Sequence, residues 1–211
     1  MKDLLIPQED YHRIFCTIYS ILLSDNADIQ HSCIPFSVVG AVILNEHYNI
    51  NAKVCMGMAA YVVDGVNKNV LAFAEKVGDK HISSQCGFHS WIESDDFVID
   101  FTAPLFPNMV RDSTGQSLIT PKMFQKKTAS MADSTSQLEA TGDFILSGNG
   151  DLTNEIMNTF ASVPYNIDLI NVCFSWYKKP PLKMLKVIPL SDGFGRIKNV
   201  PLQSFHICGS W

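Results

Sequence analysis

The chain has 211 residues, 46% of them hydrophobic and 18% charged, with a formal net charge of -5. That length suits a single domain with a sizeable core, and the apolar share excludes global disorder. The acidic balance argues against a nucleic-acid or anionic-membrane surface, and the longest apolar stretches, 34–44 and 55–63, are too short to span a bilayer.

The opening segment 1–10 turns acidic at once, so no signal peptide is expected. Helical spacing of Tyr11, Ile14, Phe15, Ile18, Ile21 and Leu22 predicts a helix over 7–24, stopped by Asp25-Asn26-Ala27-Asp28. A second helix is predicted from Cys33 to His47, with Ser32 as N-cap and Pro35 tolerated in the first turn. It is apolar almost all round and is therefore expected at the centre. A strand follows over 52–63, where Gly57 predicts a bulge or close packing. A short strand over 70–74 leads into a polar loop over 75–87. Segments 88–93 and 97–101 form a hairpin closed by an acidic turn. From 111 to 142 the composition shifts to Ser, Thr, Gln and Lys, which predicts a long surface excursion with one helical segment near 130–140. Helices are expected over 151–162, capped by Asp151 or Thr153, and over 168–177. Short strands are expected around 191–195.

Six cysteines with no secretory signal read as reduced thiols of a cytoplasmic protein. Cys16, Cys55, Cys173 and Cys208 lie among apolar neighbours and are read as core residues. Cys33 differs, because it opens a helix amid small, polar and turn-forming residues. Cys86, in a polar loop, is its competitor. A helix N-terminus and a neighbouring imidazolium both favour a thiolate. The chain then offers His89 on one strand and Asp100 on the next. A cysteine, a histidine to act as base and an aspartate to orient it are the parts of a thiol-nucleophile triad.

Strand parity tests the pairing. A four-residue turn puts His89 opposite Asp100. The two-residue turn Asp95-Asp96 puts Asp100 opposite Trp91, still on the His89 face. A three-residue turn sends Asp100 to the other face. The Cys33 amide is one natural oxyanion donor, and Gln30 and His31 are candidates for a second. Trp91 is expected beside the imidazole, at the substrate cleft. A zinc set from His81, Cys86, His89 and Cys55 is the competing arrangement, but no paired ligand spacing supports it. Neither a metal nor a cofactor is expected.

The Cys33 helix with Pro35, Ser37, Gly40 and Leu44, the following strand, and His89-Ser90-Trp91-Ile92-Glu93 with Asp100 resemble the papain-like and transglutaminase-like superfamily. Within it, the motifs are similar to those of the transglutaminase-like proteases that remove leader peptides from lasso peptides. That resemblance covers roughly 29–106. The whole chain resembles an uncharacterised bacterial family assigned to the papain-like fold. The resemblance implies an α+β papain-like domain over 1–211, with N-terminal helices packed on an antiparallel sheet. The catalytic core would occupy 1–110; the polar excursion, C-terminal helices and short strands would occupy 111–211. It also implies Cys33 as nucleophile, His89 as base and Asp100 as orienting acid.

The expected function is hydrolysis of an amide or peptide bond through a thioester, on a peptide or small amide substrate. Acyl transfer by the same triad and a catalytically silent binding module are the rivals. The 111–142 excursion is expected either to reach over the Cys33 cleft or to lie remote from it.

Overall fold

The computed structural model describes residues 4–78, 80–115 and 119–211. Helix α1 (Gln8–Ser24) buries the predicted stripe of Tyr11, Ile14, Phe15, Ile18, Ile21 and Leu22. Helix α2 (Cys33–Tyr48) ends where Asn49 turns left-handed at φ 54°. The expected cap at Ser32 does not form; its hydroxyl donates to the Asp28 carbonyl at 2.7 Å. Gly40 lets α2 press on the sheet, since a Cβ there would lie 2.4 Å from the Phe101 ring.

Strand β1 (Lys53–Asp64) is the hub of a mainly antiparallel sheet. It pairs with β2 (Asn69–Phe73), with β5 (His89–Ser94) and with β8 (Phe144–Gly148). The sheet continues through β6 (Phe97–Asp100) to β7 (Phe124–Lys127). Gly57 marks close packing: it stands opposite His89 on β5 and opposite Gly148 on β8. The one register shift of β1 lies at Val62–Asp64 instead.

Several expectations are corrected. The 75–87 segment is not wholly a loop, because β3 (Glu75–Val77) and β4 (Lys80–Ile82) form a small separate hairpin within it. The 111–142 region is not a surface excursion throughout. Helix α3 (Phe106–Thr114) runs into it and β7 lies inside it, with Phe124 and Gln125 buried. Gln125 earns a buried place by bonding the backbone of Ile6 on both sides, at 2.8 and 3.1 Å. Near 130–140 there are only single 3₁₀ turns, Thr128–Ser130 and Thr135–Gln137.

Helix α4 (Gly150–Ser162) is capped by neither Asp151 nor Thr153 but by Asn149, whose side chain accepts from the Leu152 amide. Helix α5 (Pro164–Trp176) begins earlier than expected, with proline at its first turn. Strands β9 (Val187–Ser191) and β10 (Ile197–Pro201) flank the expected 191–195 segment. Cys16 and Cys173 are buried, but Cys208 is exposed and is not a core residue. Its sulfur lies 2.8 Å from His206 Nε2.

The molecule is thus mixed α and β, with a curled sheet and a core on each side. One core joins α1, α2 and α5 to Ile92, Ile99 and Phe101. The other, inside the curl, gathers Tyr61, Trp91, Val98, Phe106, Phe124 and Phe144. Among the described residues, no helix is long and apolar enough to cross a membrane.

The Gly57 junction yields a stability test. A Cβ at Gly57 would sit 2.0 Å from the Ser147 carbonyl oxygen, a backbone atom that cannot swing away. Gly57→Ala should cost roughly 1–3 kcal/mol, the range for overpacking a filled interior. Urea unfolding measures it, and an unchanged midpoint would show that β1 and β8 can part freely.

Candidate active site

Three elements deliver the three groups. Cys33 is the first residue of α2. His89 opens β5, and Asp100 closes β6. The hairpin has the two-residue turn, since Ser94 pairs with Phe97 and Ile92 with Ile99. Asp95 accepts a positive φ of 47° there. This register places Asp100 on the His89 face, diagonal to it, and the carboxylate spans the diagonal. Asp100 Oδ2 lies 2.7 Å from His89 Nε2.

The pair is sealed. His89 is 1% exposed and Asp100 0%. The other carboxylate oxygen, Oδ1, accepts from the Thr102 amide at 2.8 Å, and the Asp100 carbonyl accepts from the Tyr11 hydroxyl. The carboxylate is thereby fixed at both oxygens. Burial by itself drives the imidazole towards its neutral form. The charge and hydrogen bond of Asp100, joined by the Cys33 side chain, outweigh that and raise His89 from 6.5 to about 10.

Nε2 is taken by Asp100, and Nδ1 is buried with no hydrogen bond of full geometry. Cys33 nevertheless stands close enough to act on the ring as a hydrogen-bond partner. Cys33 is 9% exposed and is the member of the three nearest the surface.

The wall around the imidazole is aromatic. Phe73 stacks on it at 4.2 Å, and Tyr61 and Phe106 approach at 5.8 and 6.0 Å. The Tyr61 hydroxyl is buried without a hydrogen bond of full geometry. Burial first, then Asp100 and then Cys33, raise its pKa well above the ordinary phenol value. It therefore remains a neutral donor beside the carboxylate. Sequence reading missed all three rings. They come from separate elements, and their only signal was an aromatic at an inward position of each.

The other predicted residues are placed differently. Trp91 is fully buried, and its Nε1 donates to Glu93 at 2.9 Å. It belongs to the inner core with Tyr61, Phe106 and Phe144. Gln30 turns to α3, where its amide donates to Asp112 at 2.8 Å. His31 is exposed and pairs with Asp28 at 2.8 Å. Both side chains are thus engaged away from Cys33 and His89. Cys86 is exposed in a tight turn between Ser84 and Gly87. The zinc alternative from His81, Cys86, His89 and Cys55 is not assembled: among the described residues no three such side chains gather.

The family described as "Protein of unknown function (DUF2026)" matches residues 7–211. The crystal structure of a genomics target is similar over the whole length. Its TM-score is 0.87 and its identity 32%, and the match covers 100% of this chain and 99% of that one. No curated protein matches.

The buried pair predicts a pH dependence. His89 is raised on folding, so its stabilising contribution is complete below about 6.5 and is lost as pH rises towards about 10. Urea stability of the native chain should therefore fall over that window by more than that of His89→Gln. Asp100→Asn should cost ~3–5 kcal/mol, the range for breaking a buried pair, and drop the His89 titration below its ordinary value. An imidazole NMR signal that still titrates near 10 in Asp100→Asn would contradict the assignment.

Proposed function

The chain belongs to the DUF2026 family, and we propose that it is a papain-like cysteine hydrolase that cleaves an amide or peptide bond. The observation that carries this reading is the buried His89–Asp100 pair, with Nε2 committed to the carboxylate and the Cys33 side chain acting on the same ring. A buried imidazolium is costly, and one acted on by a thiol at a helix start has a chemical use. The α+β architecture, with α2 pressed on an antiparallel sheet, agrees with a papain-like fold.

The proposed reaction has two steps. The Cys33 thiolate attacks the substrate carbonyl and forms a C–S bond. The oxyanion that develops is met by the Cys33 amide at the head of α2. His89 donates its Nδ1 proton to the leaving nitrogen, the C–N bond breaks, and an amine departs from a thioester. Neutral His89 then takes a proton from water, the hydroxide adds to the thioester, and the thiolate leaves as the acid is released. Asp100 keeps its bond to Nε2 throughout and holds the ring in register.

One observation favours a second outcome. The imidazole is walled by Phe73, Tyr61 and Phe106 and is 1% exposed. A dry thioester persists longer before water reaches it, which gives an amine acceptor its chance. Acyl transfer is the same chemistry with an amine in place of water.

Thiol labelling tests the proposal. Iodoacetamide should alkylate Cys33 at pH ~6 in preference to the exposed Cys86 and Cys208, because the His89 imidazole acts on its sulfur. Intact mass and peptide mapping should show one label, lost in Cys33→Ala and kept in Cys86→Ala. His89→Asn should slow it by ~100-fold or more, the lower range for losing an acid–base partner. Equal labelling in the His89 variant would remove the triad.

A further inference from the structure

The chain neighbours of the two reacting residues point into a cavity. Ile34 follows Cys33, and Phe88 precedes His89. Together with Ile156, Phe160 and Val163 they line a hollow of about 320 Å³ between the start of α2, the loop before β5 and the α4–α5 corner. Ile34 and Phe88 pack there beside Met56, Leu152 and Ile156. The hollow therefore adjoins the head of α2, one residue along the chain from the thiol, while Phe88 enters it from the strand face opposite His89, the face that carries Met56.

Its chemistry is restrictive. No charged side chain lines it, and its three polar members are already engaged. Gln85 donates to Glu155 at 2.6 Å, Thr159 donates to the Glu155 carbonyl at 3.0 Å, and Asn166 donates to the Phe160 carbonyl at 2.8 Å. A charged occupant would find no counter-charge and would lose its hydration. The volume lies at the small end for ligand pockets, suited to one side chain and its backbone rather than to an extended ligand.

We infer that this cavity is the specificity pocket of the site and receives an uncharged apolar side chain, of leucine to phenylalanine size, from the residue that supplies the scissile carbonyl. The inference rests on the cysteine-hydrolase reading. It makes the substrate class peptides or acyl amides with an apolar residue at the cleaved bond, and it disfavours acidic ones. The loop before β5 is part of the selecting wall, because the Gln85–Glu155 bond ties that loop to α4.

Three chloromethyl ketones separate the pocket from the nucleophile: N-acetyl-leucyl, N-acetyl-phenylalanyl and N-acetyl-aspartyl. In each, the thiolate displaces chloride and leaves a thioether on Cys33. Iodoacetamide serves as a probe with no side chain, and Cys33→Ala as the control for site. The leucyl and phenylalanyl reagents should label Cys33 at least about tenfold faster than the aspartyl one, since a filled hydrophobic pocket discriminates by ~10- to 200-fold.

Val163→Asp supplies the second arm. Val163 is 42% exposed and is the N-cap residue of α5, where aspartate is a favoured cap, so the fold should survive the change. This variant should lose at least about tenfold in leucyl labelling while its iodoacetamide rate stays within about twofold. Equal rates for the three ketones, or no effect of Val163→Asp, would overturn the pocket and leave the nucleophile standing. Failure of iodoacetamide to select Cys33 would overturn both.

Discussion

The rest of the structure depends on the close approach of three strand backbones at Gly57. There β1 meets β5 at His89 and β8 at Gly148. A side chain at this point would strike the Ser147 carbonyl, so only glycine lets β1 carry both neighbours. The junction sets where the imidazole sits. It also sets where α4 begins, because the Asn149 amide next to Gly148 donates to the Met56 carbonyl at 2.8 Å. The wall of the proposed pocket and the base of the proposed triad thus hang from the same glycine.

The second organising fact is a charge held where charge is expensive. Burial alone would leave His89 neutral, and the fixed Asp100 carboxylate, joined by the Cys33 side chain, reverses this. Fixing that carboxylate takes the Thr102 amide on one oxygen and the imidazole on the other, with the Asp100 carbonyl pinned by Tyr11 from α1. The aromatic rings around His89 then exclude water from the pair, which strengthens each remaining interaction. A helix remote in sequence therefore contributes to holding the carboxylate, and α1 is more than cover for the core.

The hairpin and both N-terminal helices could be read from the sequence because their signals are local. Parity left Asp100 on the His89 face in two of the three turn lengths considered, and the two-residue turn Asp95-Asp96 is the one that forms. Strand β7 could not be read that way. Phe124-Gln125-Lys126-Lys127 looks like surface, and Gln125 is buried only because Ile6 offers it both a donor and an acceptor from far along the chain. The aromatic wall was illegible for the same reason, since Tyr61, Phe73 and Phe106 converge only through the curl of the sheet. Trp91 misled because parity places a residue on a face but does not say how deep it lies. Gln30 and His31 misled because proximity in sequence to a nucleophile does not aim a side chain at it.

The hub also has a consequence for the order in which the chain assembles. Strand β2 follows β1 closely and β5 comes soon after, so these pairings close short loops. Strand β8 arrives much later in the chain, so its pairing closes a long one. Until β8 docks, β1 carries an unpaired edge through Met58, Ala59, Ala60 and Tyr61, an apolar run open to a strand from another molecule. The sequence element that gathers the site is, during folding, also the one most open to misassociation.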